Sequence, residues 1–224
     1  EQAFSVMGIG PQDNIFSIDA AELEQRLKKC PAIRRASVKR QISSNPTLLV
    51  DIDARIPVAW IDCPELGIHP GDATYGALAD KEGVIFPCME QVHMPYIREK
   101  RMPSVTLRPP SSGKLSYGVS IRELEAPMKL IELLSGTVTE YLPSIVSITT
   151  PNDWSFCVRF TNDCQATFSH YGLEHQVEKL SRALRHARQT HRKISSINLI
   201  PEHNIPVIFD NSYEDIPLAE PIEE

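Results

Sequence analysis

Seven histidines and five cysteines are the residues of this 224-residue chain best suited to metal binding or nucleophilic chemistry. Their spacing argues against both. His170 and His175 stand five apart across the expected start of a helix, not at the i, i+4 spacing that puts two ligands on one face. The sequence holds no HExxH, no CxxC and no G-x-S-x-G. Gly8-x-Gly10 lacks a third glycine and a preceding strand, so no phosphate loop is read there. We therefore assign no catalytic, cofactor or metal residues, and the chain reads as a non-enzyme.

An odd cysteine count leaves at least one thiol unpaired. Trp154, Phe156, Val158 and Phe160 share one face of an expected strand. Setting them against Cys164, Ala166 and Phe168 needs a three-residue loop, Thr161-Asn162-Asp163. Cys164 then faces Phe160 while Cys157 points the other way, so the two do not bond. Cys63 and Cys88 bracket a loop-rich stretch and either bond in an oxidising compartment or act as small apolar fillers. His186, His191, Arg182, Arg185, Arg188, Arg192 and Lys193 make the end of the last helix basic, which suits a solvated face beside the helix dipole or an acidic partner.

What remains is main-chain chemistry. Pro206 lies inside the last expected strand, and a residue without an N–H belongs at a sheet edge. Residues two apart turn their backbone groups the same way, so Asn204, Pro206 and Ile208 are expected to face outward together. Such an edge accepts a partner strand, with main-chain bonds supplying affinity and alternate side chains selectivity. Pro206 also blunts the edge that it marks.

The elements that position these groups are legible as two modules. In the first, Asp19 caps a helix and Glu22 completes a capping box, with Ile18 and Leu23 at the staple positions. Leu23 and Leu27 continue the stripe, and Lys28, Lys29 and Pro31 close the helix. Residues 36–42 alternate Ala36, Val38 and Arg40 against Ser37 and Lys39. Residues 47–55 set Leu48, Val50 and Ile52 opposite Leu49, Asp51 and Asp53, and Ser43-Ser44-Asn45-Pro46 turns between them.

The second module opens with a strand over 57–62, a loop over 62–76 read as an insertion, and a hairpin around Lys81-Glu82-Gly83. A strand over 104–108 and a breaker-rich stretch over 109–118 follow. Ile121, Leu124, Met128, Ile131 and Leu134 then recur at helical spacing, with Pro127 forcing a kink or a late start. Residues 144–149, 154–160 and 164–169 form a three-stranded meander. Leu173, Val177, Leu180, Leu184 and Ala187 make the next helix, and 195–200 with 205–209 the last hairpin. Residues 211–224 are an acidic tail that cannot build a core.

At 42% hydrophobic residues the chain can bury the cores of two compact domains. Its formal net charge of −6 argues against general nucleic-acid binding, which requires a Lys/Arg surplus. No stretch approaches the roughly 20 apolar residues that span a bilayer. The first residue is Glu1 rather than Met, which implies processing or trimming.

The series NIFSID, CPAIRRASVKR, PTLLVDI and R-x-PVAW resembles the POTRA domain of the FtsQ/DivIB bacterial cell-division proteins. LADKEGVIFP, MPSVTL, NDWSFCVRFTNDCQATFS and SINLIPEHNIPVIF continue the resemblance in order along most of the chain. Ala32 stands where that family usually has Trp, Ala54 where it has Glu, and Ile200-Pro201 where Arg and an aromatic residue are common.

The resemblance implies an α+β fold: a POTRA domain over 1–56, a larger domain over 57–210 with a mostly antiparallel multi-stranded sheet covered by helices, and a flexible tail over 211–224. It makes the Asp19 helix the second of the POTRA domain, with the first strand missing upstream. Residues 2–7 are then the tail of the first helix, stopped by Gly8 and Gly10-Pro11, the alternative being a short strand over 4–9. It also implies a cytoplasmic tail and one membrane helix ahead of this chain, which would lie outside the cytoplasm at the division septum.

The function implied is a non-enzymatic divisome scaffold whose last strand receives FtsB/FtsL-like proteins. Ile200, Asn204, Pro206, Ile208 and Phe209 are its contact residues. A second edge, with Val38 and Arg40 on the outermost POTRA strand, would serve FtsK-like or other divisome proteins. The rivals are a POTRA-bearing outer-membrane assembly or chaperone module, which usually carries tandem POTRA repeats, and an extracytoplasmic hydrolase, for which no nucleophile, base and orienting group converge. The helix cap makes a first prediction: Asp19→Ala lowers stability by about 1 kcal/mol in urea denaturation, and an unchanged midpoint would refute the cap.

Overall fold

The computed structural model describes Gly8, Asn14, residues 16–42, 46–89, His93, Ile97, residues 101–136 and 142–210. The readings of residues 2–7 as a helix tail, of 43–45 as part of a turn and of 211–224 as a tail fall outside the described residues.

Helix α1 (Ala20–Lys28) starts where the Asp19 carboxylate accepts from the N–H groups of Ala21 at 2.8 Å and Glu22 at 3.3 Å. Glu22 turns not back to the cap but forward to Arg26, 2.6 Å away, so the cap is one-sided rather than a reciprocal box. Strands β1 (Ile33–Gln41) and β2 (Thr47–Ala54) pair antiparallel with Val38 opposite Val50 and Ala36 opposite Ile52. Their two-residue period lays Ala36, Val38, Leu48, Val50 and Ile52 against Leu23 and Leu27 of the helix.

The rest of the described chain is one nine-stranded sheet. Its strands are β3 (Ala59–Asp62), β4 (Ala77–Ala79), β5 (Ile85–Pro87), β6 (Ser104–Thr106), β7 (Ile145–Thr149), β8 (Ser155–Phe160), β9 (Gln165–Ser169), β10 (Ile194–Asn198) and β11 (Val207–Phe209). The order is β11-β10-β9-β8-β7-β6-β3-β4-β5. Three of its neighbouring pairs are parallel: β3 with β6, β6 with β7, and β9 with β10. The sheet is therefore mixed, with antiparallel pairs in the majority. Helices α2 (Arg122–Gly136) and α3 (Leu173–Gln189) cause two of the parallel pairs, because each carries the chain back to the end of the sheet where it started.

Both helices lay apolar stripes on this sheet. Leu124, Met128, Leu130 and Ile131 of α2, and Leu173, Val177, Leu180 and Ala187 of α3, join a core built around Phe156, Phe160 and Phe168. Each fully buried Leu or Phe contributes roughly 1.5 to 3 kcal/mol. Pro127 sits within α2, which starts at Arg122, five residues before it.

The meander follows the register read from alternation: Phe156 faces Phe168 with rings stacked at 5.6 Å, and Phe160 donates its N–H to the Cys164 carbonyl. Asp163 closes the three-residue loop at φ 63°. Trp154 departs from the pattern and is exposed, because Asn152 Oδ1 takes the N–H groups of Trp154 and Ser155 and turns the chain before the strand begins. None of the five cysteines is in a disulfide; Cys63 and Cys88 are buried fillers, and burial pushes the Cys164 thiol up to about 11, well into its inert form.

The two sheets meet at Arg55 and Asp80. Arg55 donates through Nη1 to Asp80 Oδ2 at 2.5 Å and through Nε to the Pro31 carbonyl at 3.0 Å. The other Asp80 oxygen accepts from the N–H groups of Glu82 and Val84, both at 3.0 Å, which shapes the β4–β5 turn. Arg34 reaches Glu82 at 2.5 Å, and Ala32 is buried among Trp60, Leu78 and Phe86. The Arg55 and Asp80 side chains are only 13% and 7% exposed, so removing one partner strands a buried charge. Arg55→Ala is expected to cost about 3 kcal/mol in urea denaturation, and a loss under about 1 kcal/mol would show that the pair does not hold the junction.

Candidate protein-docking edge

Strand β10 pairs parallel with β9 on one side and antiparallel with β11 on the other, which leaves β11 at the end of the sheet. The opposite end is closed. Gly118 donates to the Ile85 carbonyl at 2.8 Å, Ile85 donates to the Val119 carbonyl at 3.3 Å, and Val84 bridges Ser120, so segment 118–121 stands in for a tenth strand beside β5. Among the described residues, the outer flank of β11 is thus the open edge of this sheet.

Which main-chain groups face that flank follows from two bonds. Asn198 donates to the Pro206 carbonyl at 3.0 Å, and Asp210 donates to the Lys193 carbonyl at 2.8 Å. Residues 206, 208 and 210 therefore turn their main-chain groups toward β10, and by alternation Val207 and Phe209 turn theirs outward. This inverts the expectation that the backbones of Asn204, Pro206 and Ile208 face out. The ring nitrogen of Pro206 faces β10 and ends the ladder there, which is why β11 is only three residues long. The missing donor of Pro206 suggests an outward place, but Pro206 takes the last inward one; the irregularity between Ile194 and Ser196 puts its extra residue on β10 and leaves the alternation of β11 unbroken.

The side chains divide the other way. Asn204, Pro206 and Ile208 are exposed, Ile208 at 64%, while Ile205, Val207 and Phe209 lie half-buried against the core. Arg192 sits over the Phe209 ring at 5.2 Å, and Lys193 lies 4.0 Å from Asp210. A groove of about 290 Å³ between Arg188, Arg192, Lys193 and Asn162 runs beside the same corner. The basic end of α3 thus flanks the open strand on its core side, and Ile208 offers an apolar surface on the other. Asn204 adopts φ 52° in the preceding turn, and half-buried Ile200 donates its N–H to Asn198 Oδ1 at 3.1 Å.

Two polar groups toward the other end of α3 lie within its apolar stripe. Gln176 and Lys179 are 4% and 8% exposed, despite being polar. Gln176 binds Ser169 and Tyr171, and Lys179 Nζ donates to the Pro201 carbonyl at 2.8 Å. The signal was their position: Gln176 and Lys179 follow Leu173 at helical spacing, on the side that meets the sheet.

The POTRA-side residues are placed differently. Val38 is 7% exposed and its N–H already donates to Glu24 Oε2 at 3.1 Å, across the flank of β1 that faces away from β2. Lys28 and then this N–H hold the Glu24 carboxyl below the usual carboxylate range. Arg40 donates to the Ile18 carbonyl. The helix thus covers part of the edge that these residues mark.

A groove of about 550 Å³ beside the first turns of α2 and α3 is lined mostly by polar and charged side chains. Arg108 binds Asp153, Lys129 binds Glu174 at 2.6 Å, and the Thr150 hydroxyl donates to the Thr106 carbonyl at 3.0 Å. Among the described residues no three His, Cys, Asp or Glu side chains converge as metal ligands, and no helix is long and apolar enough to cross a membrane.

Residues 1–53 match the family described as POTRA domain, FtsQ-type, which spans α1, β1 and nearly all of β2. The chain is an α+β protein with a POTRA domain at its N-terminus. Over those residues it is similar to the FtsQ/DivIB proteins. No curated protein matches it.

The parity of β11 makes a sharp prediction. Val207→Pro removes an outward N–H and leaves the thermal melt nearly unchanged, whereas Ile208→Pro removes an inward one and lowers stability by about 1 kcal/mol or more. Equal melts for the two variants would refute the assigned parity.

Proposed function

We propose that this chain is a non-enzymatic division scaffold that holds FtsB/FtsL-like proteins by strand addition along β11. The observation that carries the reading is the open flank of β11, in a sheet whose other end is closed by its own chain. Residues 1–56 would act as the POTRA domain and 57–210 as the partner-binding domain. A membrane helix ahead of the POTRA domain would tether it outside the cytoplasm at the septum, and FtsK-like or other divisome proteins would meet the POTRA domain near Val38 and Arg40.

Magnitudes set what the edge must supply. The N–H and C=O groups of Val207 and Phe209 offer four main-chain bonds, each with a net worth of about 1 kcal/mol. Alone they give about millimolar binding, whereas micromolar affinity needs about 8 kcal/mol. Side chains must make up the difference, and Ile208, with most of its surface in water, has about 2 kcal/mol to contribute. Ile208→Glu should therefore weaken capture of the FtsB-like protein of the same cell by about thirtyfold while leaving the melt in place. Full-strength capture by that variant would overturn the assignment to β11. Phe209 is the poorer probe, because it packs on the core and under Arg192.

A further inference from the structure

Lys179 is an unusual residue to find under a helix. It is 8% exposed on the face of α3 that covers the sheet, and a charged side chain is seldom buried without partners. Its partners are carbonyls. Nζ donates to Pro201 at 2.8 Å and lies 3.5 Å from the carbonyl oxygen of Leu199. Both carbonyls belong to the turn that leaves β10 and returns as β11.

That turn needs an external anchor. The strand it delivers is three residues long, pairs with β10 across an irregular register, and loses its ladder at Pro206. Few main-chain bonds fix so short a ribbon, and a hairpin of this length is marginal by itself. Leu199 N–H to Thr167 O at 2.9 Å ties the start of the turn to β9, and the Lys179 ammonium ties the carbonyls of Leu199 and Pro201 to α3. A charged donor in a dry site makes the stronger bond.

We propose that Lys179 is a positioning residue for the docking edge: by holding the carbonyls of Leu199 and Pro201 it keeps β11 in the register that turns Val207 and Phe209 outward. The inference rests on the reading of β11 as the edge that receives a partner. Lys179 touches no partner in this account and acts through the turn.

The test pairs a local readout that needs no partner with a binding readout. Lys179→Met keeps the apolar stem and removes the ammonium; Lys179→Arg keeps a charged donor. The full chain of each is digested with subtilisin under native conditions, and cuts within 199–206 are timed by mass spectrometry. Capture of the FtsB-like extracytoplasmic segment is measured alongside, with Val207→Pro as reference. Lys179→Met should be cut at least tenfold faster and capture the segment about tenfold more weakly, with Lys179→Arg close to wild type in both. An unchanged cutting rate overturns the clamp, whatever the capture. Faster cutting with undiminished capture overturns the positioning role, and if Val207→Pro also captures fully, the docking edge itself is wrong. Should Lys179→Met fail to fold, Lys179→Gln, which keeps one donor, carries the same two readouts.

Discussion

Main-chain groups in a sheet need partners, and among the described residues the nine-stranded sheet meets that constraint at one of its two ends and not at the other. Eight strand-to-strand contacts satisfy the interior of the nine-stranded sheet. At the β5 end, segment 118–121 supplies the bonds that a further strand would give. At the β11 end nothing among the described residues does so. A sheet that protects one edge with its own chain and leaves the other bare has the asymmetry that directional assembly requires, since a partner can extend it at one place only.

The same economy of bonds joins the two modules. Asp80 spends one carboxylate oxygen on the turn of its own hairpin and the other on Arg55, while Arg55 also holds the Pro31 carbonyl at the end of the POTRA helix region. The turn, the junction and the closing segment are therefore neighbours: Glu82 of that turn meets Arg34 and receives Ser120 Oγ, and Gly118 lies against Pro31. In the POTRA module, Glu24 gives the outer amide of Val38 a partner within the chain. That leaves less of the β1 flank for another protein than β11 offers.

Periodicity made most of the elements legible. Alternation in Ala36–Val38–Arg40 and Leu48–Val50–Ile52 reported the first hairpin, and the Phe160–Cys164 register followed from facing apolar residues across a three-residue loop. Parallel pairing was harder to read, because it depends on where α2 and α3 return the chain rather than on any local pattern. The parity of β11 turned on Pro206, whose missing donor suggests an outward place although it holds the last inward one. Lys179 and Gln176 are buried by position despite their polar type, which a stripe read from apolar residues alone does not report. Trp154 misled in the opposite sense, an apolar residue turned out by the Asn152 side chain.

The central claim is that Val207 and Phe209 present free main-chain groups which a partner strand takes up. Amide hydrogen exchange resolved by NMR, with and without the FtsB-like extracytoplasmic segment, tests it most directly. In the unbound chain the Val207 and Phe209 amides should exchange far faster than those of Ile208 and Asp210, and saturating segment should slow the first pair at least a hundredfold. Amides of Val207 and Phe209 that are already protected without the segment, or that stay fast when it is bound, would contradict the account.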